Sequence, residues 1–230
     1  MTKYETVYED PEYHRIAAPA RRADRITTGM LAGGSSLETI GGLAAVILCV
    51  VGFQERPVEM AAIATIAIGV ALLSQGAAVM ARWRHAVGKL EGTRPDRNEL
   101  VEGVSTEVFG GLVGIVLGVL ALVGIKPIVM LPVAAIVFGG SLLLGGAAQP
   151  DLVYLAPDKN PRFARATFSA IQASGGIMVL VGVASAVLGI LALLDVGPPL
   201  SLTLVAMLSI GFSLLFAGGA LTTRFVHRLR

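Results

Sequence analysis

Six apolar stretches, near residues 36–53, 58–80, 104–125, 128–148, 168–194 and 200–222, alternate with polar segments along this chain. Each approaches the roughly 20 residues with which an α-helix crosses a 30 Å hydrocarbon core. They are continuous runs, not ten-residue stretches of alternating polarity, so a β-barrel is excluded and six transmembrane helices are predicted. Within them the acidic and basic side chains are Glu38, Glu59 and Glu107.

The stretches repeat. Residues 57–78, 127–148 and 199–220 share the pattern Pro-x11-Gly-x-[Ala/Ser]-Leu-Leu-x-x-Gly-[Ala/Gly]-Ala. An echo lies upstream of each copy: Glu38-x-x-Gly41-Gly42, Glu107-x-x-Gly110-Gly111 and Gln172-x-x-Gly175-Gly176. Self-similarity at a fixed period sets architecture. It predicts an all-α polytopic membrane protein made of three helical hairpins. A two-helix unit leaves every copy in the same orientation, so the copies are expected around a pseudo-threefold axis along the membrane normal. The expected organisation is a polar N-terminal tail (1–25), hairpin one (26–80), a loop with hairpin two (81–148), a loop with hairpin three (149–222), and a basic C-terminus (223–230). Pro57, Pro127 and Pro199 mark the starts of the second helices, because a first-turn N–H has no intrahelical partner to lose. The pairs Gly69/Gly76, Gly139/Gly146 and Gly211/Gly218 are seven residues apart, which puts both members on one face and suits close helix packing. That face is expected at the hairpin or inter-unit seam, with the neighbouring Leu-Leu pair packed into a neighbour or facing lipid.

Composition agrees. Only 15% of the 230 residues are charged and mean hydropathy is +0.75, whereas a soluble domain carries about 25% charged residues. The net charge of +2 is a topology signal and not a nucleic-acid footprint. Of the 18 Lys and Arg, all but Arg56 and Lys126 fall in the tail, the loops at 81–100 and 149–166, or the C-terminus. Under the positive-inside rule both termini are cytoplasmic. Trp83, between Arg82 and Arg84, suits the headgroup level. No cleavable signal peptide precedes the first span. Cys49, the single cysteine, forms no intramolecular disulfide.

The candidate intramembrane polar site is Glu38, Glu107 and Gln172. A carboxylate inside a span costs at least about 2.5 kcal/mol at the bilayer centre and is by default a functional candidate. Two brought together could hold a proton or a cation. The structural alternative is capping: Ser35-x-x-Glu38 and Ser169-x-x-Gln172 both match a capping box. Against it, Val104 stands where the middle cap belongs, and Asp96-x-x-Glu99 and Asn160-Pro161 offer earlier helix starts. The hydroxyls Thr65, Ser74, Ser141, Ser174, Ser185, Ser209 and Ser213 can bond to their own helices. Gln75 is read as one interhelical hydrogen bond. His14, His85 and His227 lie outside the spans without metal-ligand spacing, and no nucleophile elbow or phosphate loop occurs. No cofactor, no metal and no enzymatic activity are expected.

The residues Pro57/Gly69/Gly76, Pro127/Gly139/Gly146 and Pro199/Gly211/Gly218, over roughly residues 36–222, resemble the HdeD-like family of small six-helix bacterial inner-membrane proteins. The resemblance implies an association with acid or envelope stress. It supplies no role for the carboxylates. Three functions compete: a non-catalytic scaffold that works with the lipid bilayer, further copies of itself or a membrane-protein partner; a proton or small-solute channel using Glu38 and Glu107; and a rotor-type proteolipid, which fits poorly because that carboxylate belongs on the second helix of a hairpin. The scaffold is the favoured expectation. It requires an apolar bundle interior, whereas a channel requires the carboxylates to meet in a hydrated cavity.

Overall fold

The computed structural model describes the backbone of residues 36–87, 97–154 and 161–228, and the side chains of 36–77, 106–146 and 175–217. The tail over 1–25, Trp83, the three histidines and the side chains of Ser174, Gln172 and Gly218 lie outside these side-chain ranges. All regular structure among the described residues is helical: α1 (Ser36–Gly52), α2 (Pro57–Val87), α3 (Arg97–Leu122), α4 (Pro127–Tyr154), α5 (Pro161–Leu193) and α6 (Pro199–Arg228). Four segments, Pro57–Ala77, Pro127–Gly146, Gly175–Leu193 and Pro199–Ala217, are long and apolar enough to cross a membrane. The apolar helices Ser36–Gly52 and Thr106–Leu122 are shorter.

The prolines start helices as their chemistry dictates. Pro57, Pro127 and Pro199 each open a helix, and the carbonyl of the residue before each accepts the first backbone bonds. Met60 N–H donates to Arg56 O (3.1 Å), Met130 N–H to Lys126 O (3.0 Å) and Leu202 N–H to Pro198 O (3.1 Å). At the opposite side of these turns α3 closes with a left-handed residue, Gly124 (φ 89°), and a bond from Ile125 N–H to Leu120 O (2.9 Å). α5 closes in the same way on Asp195 (φ 57°), with Val196 N–H donating to Leu191 O (3.0 Å). Aspartate is among the few non-glycine residues that tolerate this conformation.

α2, α4 and α6 all touch one another and form the inner triangle of the bundle. α3 lies against α2 and α4, and α5 against α4 and α6. α1 packs through Gly41 onto Ala71 of α2 and through Gly42 onto Gly211 and Leu215 of α6. The inner helices meet through Ile68, Leu72, Phe138, Leu142, Ile210 and Leu214, all fully buried.

Close backbone approach occurs where glycine faces glycine. A methyl group on Gly111 of α3 would sit 2.7 Å from Gly69 O and 3.0 Å from Leu73 N of α2. On Gly182 of α5 it would sit 2.6 Å from Gly139 O and 2.8 Å from Leu143 N of α4. On Gly42 of α1 it would sit 2.7 Å from Gly211 O and 2.8 Å from Leu215 N of α6. Three seams thus use the same two backbone atoms, a carbonyl and the N–H four residues later. Gly69, Gly139 and Gly211 lie in seams between successive hairpins, as does Gly146, where a methyl group would meet Gly175 O at 2.9 Å. Gly76 is buried. Of each Leu-Leu pair the first (Leu72, Leu142, Leu214) enters the interior and the second lines a seam; neither position is a lipid-facing one.

The surface is inverted relative to a protein folded in water. Ile40 (62% exposed), Phe109 (67%) and Leu180 (73%) point outward, while Glu38 (2%), Glu107 (3%) and Gln75 (6%) are buried. Burying a side chain of this apolar size is worth about 1.5–3 kcal/mol. An exterior with large apolar residues on all six helices is therefore stable against lipid tails and not against water. The chain is all-helical with apolar helices suited to a bilayer.

Candidate functional site

Glu38, Gln75 and Glu107 are buried toward the end of the bundle opposite the proline turns, whereas the buried hydroxyls Thr65 and Thr203 lie in the proline-turn half. Glu107 reaches this layer from the interior of α3, which begins at Arg97. α5 begins at Pro161, so Ser169 and Gln172 lie mid-helix and do not form a capping box. Both helices start at the earlier Pro/Asn/Asp signals, which win because proline presets the first-turn geometry. For α1 the described helix begins at Ser36, and Ser35 lies outside the described residues.

Within hairpin two, α3 and α4 interlock by side chains filling glycine hollows. The Glu107 carboxyl occupies the space a Cβ on Gly145 would need. One turn on, the Ser141 hydroxyl fills the hollow at Gly110, and next the Phe138 ring fills that at Gly114. The Ser141 hydroxyl donates to Val137 O (2.9 Å) of its own helix.

Hairpin one repeats this register with different residues. A methyl group on Gly41 would lie 2.8 Å from Ala71 Cβ, just as one on Gly110 would lie 2.8 Å from Ser141 Cβ. Glu38, three residues before Gly41, therefore holds the place of Glu107. Gln75, four residues after Ala71, holds the place of Gly145. Where hairpin two leaves a hollow for its carboxyl, hairpin one sets an amide against it.

On α5 the corresponding place belongs to Met178. Gly182 meets Gly139 as Gly111 meets Gly69, and four residues before these glycines stand Met178 and Glu107. Met178 is 1% exposed and accepts a hydrogen bond on Sδ from Gln75 Nε2 (3.9 Å). Gln75 thus reaches from α2 to α5, and its Oε1 is buried with no hydrogen-bond partner. The matched layer is Glu38, Glu107 and Met178. The side chain of Gln172 lies outside the described residues; of the α5 glycines, Gly175 meets Gly146 and Gly182 meets Gly139. The informative signal was the seven-residue pair Gly111/Gly118, answered by Gly182/Gly189.

Thr65, Ser74, Thr203 and Ser209 each donate to a carbonyl of their own helix at 2.7–2.9 Å, as expected for Thr65, Ser74 and Ser209. Ser185 instead donates across helices to Ala206 O (3.4 Å), Thr65 also reaches Met207 Sδ (3.9 Å), and Ser213 Oγ is buried without a hydrogen-bond partner. Between the polar layer and the proline turns the inner helices bury alanines and larger apolar side chains, together with Thr65 and Thr203. No family model, curated protein or solved structure matches this chain. The chemistry available in the layer is hydrogen bonding and proton holding. Among the described residues no group of three His, Cys, Asp or Glu could hold a metal.

Proposed function

We propose that the chain is a non-catalytic integral membrane protein of the bacterial inner membrane that serves as a structural or assembly component. In this reading all six helices span, both termini are cytoplasmic, and three equivalent hairpins close into a ring about a pseudo-threefold axis along the membrane normal. The stress association carried by the HdeD-like glycine and proline pattern belongs to the same proposal. Closure is supported by the three seams at Gly69/Gly111, Gly139/Gly182 and Gly211/Gly42, which join the second helix of each hairpin to the first helix of the next. The single observation that carries the functional reading is the interior. Ile68, Leu72, Leu142, Ile210 and Leu214 are fully buried on the inner helices, with Phe138 packed against α3, which supports a packed and mainly apolar interior.

A second reading, proton or small-solute transport through Glu38 and Glu107, is favoured by the burial of both carboxylates, Glu107 lying well inside α3. Reconstitution in liposomes with an internal pH dye separates the two. Wild type and Glu38→Gln/Glu107→Gln are expected to leak protons no faster than empty vesicles under an imposed gradient. Flux in the wild type that the double substitution abolishes would replace the scaffold with the transporter.

A further inference from the structure

Gln75 reaches from α2 to α5 with its amide held against Met178. A thioether sulfur can only accept a hydrogen bond. Met178 therefore fixes which end of the Gln75 amide faces it: the NH2 group must, and Nε2 donates to Sδ at 3.9 Å. The carbonyl Oε1 is then turned the other way, buried and without a partner. A buried, unsatisfied amide oxygen costs about 1–3 kcal/mol, so this atom calls for a donor.

The register of the hairpins says which side chain supplies it. At Gly145 the Cβ direction runs straight into the Glu107 carboxyl. Gln75 has that position in hairpin one, so its side chain leaves the backbone toward Glu38, which is buried and engaged in the interior. An ionised carboxylate has only acceptors to offer, whereas a carboxylic acid has one O–H to give. We propose that Glu38, Gln75 and Met178 form a proton-holding site, in which the Glu38 O–H donates to Gln75 Oε1 and Gln75 Nε2–H donates to Met178 Sδ. The proton comes from water at the near end of the bundle and leaves by the same route, since the packed middle closes the other.

The surroundings are consistent with a neutral acid. Against the α1 glycines, α6 places Gly211, Leu214 and Leu215 and α2 places Ala67 and Ala71, none of them charged. The other ionisable group of the layer is Glu107, set into the Gly145 hollow of the next hairpin. Methionine at the third position makes the chain of hydrogen bonds directional, because a thioether can only accept.

Infrared difference spectroscopy of the full chain in lipid tests this directly. At neutral pH the wild type should show a carboxylic-acid carbonyl band that Glu38→Gln removes and Glu107→Gln leaves in place. Gln75→Leu should retain that band and move it to higher frequency, because the acid loses its acceptor. Replacing choline chloride with sodium chloride should leave the spectrum unchanged. An unaltered acid band in Glu38→Gln, a carboxylate band assigned to Glu38, or conversion of acid to carboxylate by sodium would each overturn the proposal, the last by pointing to a cation site. Because proton holding without flux is compatible with a scaffold, the liposome leak and the infrared band can fail independently.

Discussion

The glycine seams and the polar layer differ in a way that separates shape from chemistry. At the seams, three helix pairs make the same contact with the same residue type, Gly42 on Gly211, Gly111 on Gly69 and Gly182 on Gly139. One turn away the matched residues are Glu38, Glu107 and Met178, with Glu107 set into the Gly145 hollow and Met178 bonded by Gln75. Positions that only bring backbones together tolerate little change, because any Cβ there collides with a carbonyl. At the polar positions the three hairpins differ, and the bond from Gln75 to Met178 links hairpin one to hairpin three.

The largest expected effect lies between the two regions. Phe138→Ala empties the ring that fills the Gly114 hollow, and should lower stability by about 3–5 kcal/mol in denaturing-detergent titrations. Retention of wild-type stability would show the apolar middle to be loosely packed and reopen a path along the axis. Next come two adjacent glycines. Gly139→Ala places a methyl group 2.5 Å from Gly182 O and should cost about 1–3 kcal/mol. Gly140→Ala meets nothing within 4 Å and should be neutral or stabilising by up to about 1 kcal/mol through helix propensity. Equal effects at the two sites would erase the distinction between seam and non-seam glycines.

Smaller effects are expected in the polar layer. Gly145→Ala meets only the end of the flexible Glu107 side chain and should cost less than about 1.5 kcal/mol. A loss as great as that of Gly139→Ala would mean that the carboxyl is rigidly held. Ser185→Ala removes the bond to Ala206 O and should cost about 0.6 kcal/mol, the average for such bonds between membrane helices.

The helices were legible in the sequence because the apolar runs and the prolines act locally. Pro57, Pro127, Pro161 and Pro199 each begin a helix, and the lengths of the apolar runs need no tertiary information. The seam role of Gly69, Gly139 and Gly211 was legible from their spacing, though their partners were not. Gly111 and Gly182 become visible as partners only when α3 and α5 lie against the helices before them. The third member of the polar layer was hidden for a different reason. Methionine at 178 carries no sequence signal on an apolar helix, and only its contact with Gln75 reveals a polar role. The outward direction of Ile40, Phe109 and Leu180 was likewise unreadable from runs that are apolar on every face.

The contact of α6 with α1 decides whether the ring closes through three equivalent seams; α6 also touches α2 of the first hairpin. A denaturing-detergent titration of Gly42→Ala, with Gly111→Ala and Gly182→Ala alongside, measures it. The account predicts that all three lose about 1–3 kcal/mol, because a methyl group meets the same carbonyl and N–H in each seam. A neutral Gly42→Ala beside two destabilised companions would contradict closure and leave an open row of hairpins.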